Sequence, residues 1–208
     1  MSEKATVTTM GEWGGAFSLL SSLMFDEPSD EVLSALADTT ESLPSALAAW
    51  QPCCSVLAEA RANGTFDQVC LDIDVDFARL FANASDTPVH PYESMYRNSE
   101  KLLMRDERDQ VVAAYLDAAR AVDDDRNLPE DHAGYELAFL ADLCQAQSDN
   151  DVAVLHAFFS DHAGAWLGAL GSDIARLAQT DFYRGLGMAL SQTVAGFEDY
   201  LAEGGEAR

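Results

Sequence analysis

The sequence predicts an all-α protein. Apolar residues recur at helical rather than alternating spacing almost everywhere, and no run bounded by hairpin turn residues reads as a strand. Helix stops and starts punctuate the apolar stripes. The 208 residues suit one domain over 1–208. We expect a single helical bundle of about eight to ten helices, with residues 1–10 and 203–208 frayed at its ends.

A first helix is expected over about 11–25, ended by Pro28-Ser29-Asp30, with Ser29 available as N-cap for a short second helix. Ser42 and Pro44 mark another start, and the helix should run through Trp50 and Cys53 to a stop at Asn63-Gly64. The acids of Leu71-Asp-Ile-Asp-Val-Asp-Phe77 alternate as in a calcium loop, but Phe77 stands at the glycine position and Asn83 at the closing glutamate position. A helix burying Phe77, Leu80 and Phe81 fits better. From Ala84 to about Asn98 the periodicity breaks, and Pro88 and Pro91 bracket a stretch bearing His90, Tyr92, Ser94, Met95 and Tyr96. Such a loop either caps a core or carries recognition residues.

A helix over about 107–122 should come next, then an acidic turn at Asp123-Asp124-Asp125 and a helix with Pro129 in its first turn. Glu130 and Asp131 suit the positive end of that helix, with Asp131 as its cap, and Ala133, Leu137, Leu140 and Cys144 form its buried stripe. A longer helix from about Val152 to Leu170 should bury Leu155, Phe158, Phe159, Trp166 and Leu170. A last one should bury Phe182, Leu186, Ala189, Phe197 and Tyr200, and Gly204-Gly205 opens the tail.

With 36 Asp+Glu against 12 Lys+Arg the formal charge is -24, which disfavours nucleic acid and anionic membrane surfaces as partners. Hydrophobic residues make up 48% of the chain, too many for a disordered acidic segment. No basic region followed by an apolar stretch opens the sequence, and no run approaches the roughly 18 apolar residues that span a bilayer. A cytoplasmic protein without membrane insertion is expected. Cys53, Cys54, Cys70 and Cys144 form no C-x-x-C pair and read as reduced core thiols.

The four histidines, His90, His132, His156 and His162, are scattered without H-E-x-x-H. No phosphate-binding glycine motif and no G-x-S-x-G occurs. We therefore expect no metal, no cofactor and no catalytic residue. His162 lies one turn before Trp166 on an apolar stripe and reads as a hydrogen-bonded core histidine. His132 comes directly after Pro129-Glu130-Asp131 at a helix mouth; Asp131 capping the helix while His132 packs on the preceding loop, and capping together with ligand contact, are both open.

Residues 127–137, Asn-Leu-Pro-Glu-Asp-His-Ala-Gly-Tyr-Glu-Leu, resemble the E-P-x-D-H signature of the TorD/DmsD/NarJ chaperones of redox enzyme maturation. Other segments agree in order. Phe81 to Met104, with Pro91-Tyr92-Glu93-Ser94-Met95-Tyr96, resembles that family's central loop. Phe158-Phe159-Ser160-Asp161-His162 with Trp166 resembles its phenylalanine–histidine–tryptophan helix, and Asp181-Phe182-Tyr183-Arg184-Gly185-Leu186 the opening of its last helix. Leu20 to Leu36, with Glu27-Pro28-Ser29, resembles its N-terminal helix pair. Leu128 departs from the signature's glutamate, and Ala163 stands where a leucine is common.

The resemblance implies a cytoplasmic chaperone, monomer or homodimer, for a molybdopterin-containing oxidoreductase. It would bind the twin-arginine signal peptide or the apo catalytic subunit and hold back export until the cofactor is inserted. The signal-binding residues it implies are Tyr92, Ser94 and Tyr96 on the loop and Pro129, Asp131 and His132 at the helix mouth. A cationic, apolar signal would suit acids beside aromatic rings, with Asp131 as arginine partner and Tyr92 and Tyr96 as apolar contacts. One alternative is a NarJ-type nitrate reductase assembly chaperone. Another is a helical hydrolase using His132 with Asp131 or Glu136.

Overall fold

The computed structural model describes residues 9–39, 45–82, 84–122, 125–146 and 148–204. Helix α1 spans Met10–Phe25, opened by a capping box in which Thr9 and Glu12 satisfy each other's backbone N–H groups. It therefore begins inside the stretch expected to fray. Ser29 caps α2, Asp30–Asp38, by accepting from the Val32 N–H. The start expected at Ser42 and Pro44 lies outside the described residues. A 3-10 turn, Ser45–Trp50, passes into α3, Gln51–Ala62, where Pro52 occupies the first turn and needs no hydrogen bond. Gly64, at φ +71, ends it as expected.

Helix α4, Phe66–Phe81, buries Leu80 and packs half-buried Phe77 and Phe81 against the Tyr183 ring. Its buried Asp76 accepts from the N–H groups of Gln179 (2.9 Å) and Thr180 (2.7 Å) and from the Thr180 hydroxyl (2.8 Å). Thr180 then caps the last helix by accepting from the Tyr183 N–H. Within the segment expected to be loop, Glu93–Arg97 forms the short helix α5. Five residues are too few to show a 3.6-residue period.

Helix α6, Asp106–Asp117, ends before the predicted limit because Ala119 turns left-handed at φ +54. Helix α7, Ala133–Gln145, starts later than Pro129 implied. The Asp131 carbonyl and carboxylate are both engaged by α5, so the capping role passes to His132, whose Nδ1 accepts from the Gly134 N–H at 3.1 Å. The stripe Ala133, Leu137, Leu140 and Cys144 is buried as expected.

Helix α8, Asp149–Phe158, runs through a π-helical turn, Phe159–Ala163, into α9, Gly164–Leu177. The predicted helix there is thus widened at one turn and extends beyond Leu170. Helix α10 spans Asp181–Ala202. Its Phe182, Leu186, Ala189 and Phe197 are buried, while Tyr200 is only partly covered. Helix α1 packs along α7, and α9 along α10. The α9–α10 approach is close at two glycines, where a Cβ on Gly187 would meet the Gly171 carbonyl oxygen at 2.4 Å. All four cysteines are free and buried, as the sequence implied. Burial pushes the Cys53 and Cys144 thiols up to about 12.

Candidate functional site

The extended chain after Pro88 meets the mouth of α7 as a short antiparallel bridge between Tyr92 and His132. The Ala133 N–H donates to the Pro91 carbonyl (2.8 Å), and the Glu93 N–H to the Asp131 carbonyl (2.9 Å). The Asp131 carboxylate accepts from the Ser94 N–H at 2.9 Å, satisfying a first-turn donor of α5. Burial pushes the Asp131 carboxyl up, and the Ser94 hydrogen bonds partly offset it. One aspartate thus anchors α5 while the next residue caps α7.

Aromatic rings enclose His132. Phe25, from the end of α1, stacks on it at 5.3 Å and 12°, and Tyr92 meets it edge-on at 5.0 Å. That stacking depends on Gly134, where an added Cβ would lie 2.6 Å from the Phe25 ring. Ser21 of α1 donates to the Gly134 carbonyl at 2.8 Å, fixing the same approach. Outside this layer, Arg108 of α6 forks onto the Glu130 carboxylate with two contacts of 2.6 Å.

Beneath the bridge lies a buried polar cluster. Glu93 faces His162 Nδ1 at 3.0 Å and pairs with Arg97, which also donates to the Asp161 carbonyl. Glu136 of α7 accepts from Trp166 Nε1 at 2.9 Å. Glu93 and Glu136 are both fully buried. Burial, and then the negative charge of Glu93, holds the Glu136 carboxyl well above the usual carboxylate range.

Of the six residues singled out in the sequence, five meet at this junction: Tyr92, Ser94, Pro129, Asp131 and His132. Tyr96 turns instead toward α9, where its hydroxyl donates to Asp173 (3.2 Å) and its ring contacts Trp166. Ser94, Asp131 and His132 are buried; Tyr92, Tyr96 and Pro129 are partly exposed. The arginine contact expected of Asp131 needs an accessible carboxylate. Asp131 is 0% exposed, so its observed work is to hold the bridge. His162 is the hydrogen-bonded core histidine expected of it. Sequence reasoning missed the Glu93–His162 contact. The available signal was a glutamate four residues before Arg97 in a segment with no visible period.

The hydrolase alternative meets a packed site: the His132 ring is 4% exposed, and Asp131 and Glu136 are fully covered. Among the described residues no three His, Cys, Asp or Glu side chains are grouped to hold a metal, and no helix is long and apolar enough to cross a membrane.

Among the described residues the scaffold is all-helical, joined at one point by the Tyr92–His132 bridge, with Asp131 and His132 covered at that junction. Its sequence matches the nitrate reductase delta subunit family over residues 25–172, and the chain belongs to that family, which includes the NarJ- and TorD-type chaperones. It is also 25% identical, over 138 residues, to the chaperone protein TorD of Shewanella pealeana (strain ATCC 700345 / ANG-SQ1). That alignment covers 63% of this chain and 61% of the TorD chain, so the match spans less than two thirds of the relative's own length. Family and relative alike are chaperones, not enzymes.

Proposed function

We propose that this protein is a chaperone for maturation of a molybdopterin-containing oxidoreductase. It binds the twin-arginine signal peptide of the client, or its apo catalytic subunit, in the cytoplasm and holds back export until cofactor insertion. The observation that carries this reading is the Tyr92–His132 bridge, which joins the two segments the family resemblance singles out. Buried Ser94, Asp131 and His132 set the backbone, and half-exposed Tyr92 and Pro129 offer the surface. The arginines of the client meet the surrounding acidic field rather than Asp131 itself, consistent with a formal charge of -24. The NarJ-type reading is the less favoured, because the aligned relative is a TorD chaperone.

The test is co-purification of the full chain with candidate reductase subunits, each with and without its signal peptide. Retention of the full-length subunit and reduced retention of the truncated one is expected. If no subunit of a molybdopterin enzyme is retained in either form, the reading fails.

A further inference from the structure

Helix α7 is enclosed on nearly every side, and its only exposed residues are Ala138, Asp142 and Gln145, one line at i, i+4 and i+7. That line is not a convex surface. Its Ala138 and Asp142 end floors a groove of about 390 Å³, walled by Phe25, Tyr115, Val122, Tyr135 and Phe139. The small side chain of Ala138 gives the groove its depth. Phe25 and Tyr135 also contact the ring of His132, so the groove begins where the bridge ends.

We infer that this groove receives the apolar stretch of the client's signal segment, placed beside the arginines that precede it. The inference rests on the signal-binding reading and adds a location to it. Charge selects the occupant. Arg120 and Asp142 line the groove, with Asp151 on Arg120 and the Asp26–Arg126 pair beside Phe25. Arg120 is held by Asp142 (2.6 Å) and Asp151 (3.1 Å), and Arg126 by Asp26 (3.1 Å), which leaves a net acidic margin. The wall already accommodates a guanidinium, since Arg126 lies 4.5 Å over the Phe25 ring. A second copy of the chain would bring another charge of -24 to the same rim, and an anionic lipid surface would meet the same repulsion. An aliphatic segment flanked by cations satisfies both floor and rim.

The experiment uses the full chain and a fluorescein-labelled peptide of two adjacent arginines followed by a leucine-rich stretch, with binding read by anisotropy at low salt. Ala138→Phe fills the groove from an exposed helical position, and Ala138→Ser keeps it open; circular dichroism melting checks that both fold like wild type. Ala138→Phe should weaken binding about tenfold or more, the equivalent of losing one or two buried aliphatic side chains, while Ala138→Ser stays within about twofold. Wild-type affinity in a folded Ala138→Phe protein would overturn the groove and leave the signal-binding reading standing. Wild type failing to bind the peptide would overturn both. Sedimentation and anionic vesicle flotation run alongside; a change there, with peptide binding intact, would reassign the groove to a second copy or to lipid.

Discussion

The Asp131 carboxylate and the Ser94 backbone N–H lie 2.9 Å apart across 37 residues of sequence, and this contact joins the two backbone hydrogen bonds of the bridge in fixing where α5 begins relative to α7. Removing the acceptor leaves a buried donor unpaired, which costs about 1–3 kcal/mol. Asp131→Ala should therefore lower stability by that amount in urea denaturation, and Asp131→Asn, which keeps an oxygen acceptor, by clearly less. If the alanine and asparagine proteins unfold at the same urea concentration, the hydrogen bond is not what matters there. Because Asp131 is buried, the salt dependence of peptide binding should be nearly the same in the asparagine variant as in wild type.

Glu136 yields a pH prediction. Its folded-state value is raised, so the native state holds the proton more tightly than the unfolded chain. That contribution is fully present below the ordinary value of 4.5 and is lost as the pH climbs through the raised one. Glu136→Gln, which can still accept from Trp166 Nε1, removes the effect. Relative to wild type, the glutamine protein should gain stability between about pH 5 and about pH 8. Parallel denaturation curves with a constant offset at both pH values would contradict the assignment.

The α9–α10 crossing predicts opposite outcomes for two glycines. A Cβ at Gly187 would press on the Gly171 carbonyl and on the Ala175 N at 2.5 Å, both backbone atoms that cannot swing aside. Gly187→Ala should destabilise by about 1–3 kcal/mol. Gly168 has open space at its Cβ position, so Gly168→Ala should raise stability by up to about 1 kcal/mol through helix propensity. Thermal melting of the two proteins reads both signs.

The thiols should be inert until the protein opens. Cys53 and Cys144 titrate near 12 and all four cysteines are buried. An aromatic disulfide reagent at about pH 8 should react slowly with the native protein and promptly with all the thiols in urea. Rapid reaction of any one of them in the native protein would place it on a mobile or exposed element.

Local signals made much of the fold legible in the sequence. The starts of α1 and α2, the stop at Gly64, the α7 stripe and the last helix were readable because caps, breakers and 3.6-residue periods depend only on near neighbours in the chain. Helix α5 was hidden, being shorter than two turns. The sequence favours Asp131 over His132 as the cap of α7, because an aspartate before a helix is ordinarily its cap. Only the distant Ser94 N–H diverts that carboxylate. The segments of the site were likewise visible as a motif, but not which of its members face inward. Burial of Ser94, Asp131 and His132 is decided by the Phe25 ring and the Tyr92 bridge, which are long-range partners.

The π-helical turn at Phe159–Ala163 takes up one residue without turning the helix that follows it. A π turn holds about one residue more than an α turn over the same full revolution. Deleting Ser160, whose side chain is exposed, would let the wide turn close so that α8 and α9 merge into one uniform helix, with Trp166 and Leu170 left near their present angle about the axis. Trp166 would still face Glu136, and the Gly171 notch would still face Gly187. The widened turn thus carries one extra codon without putting the C-terminal pair of helices out of step with the acid cluster beneath the bridge.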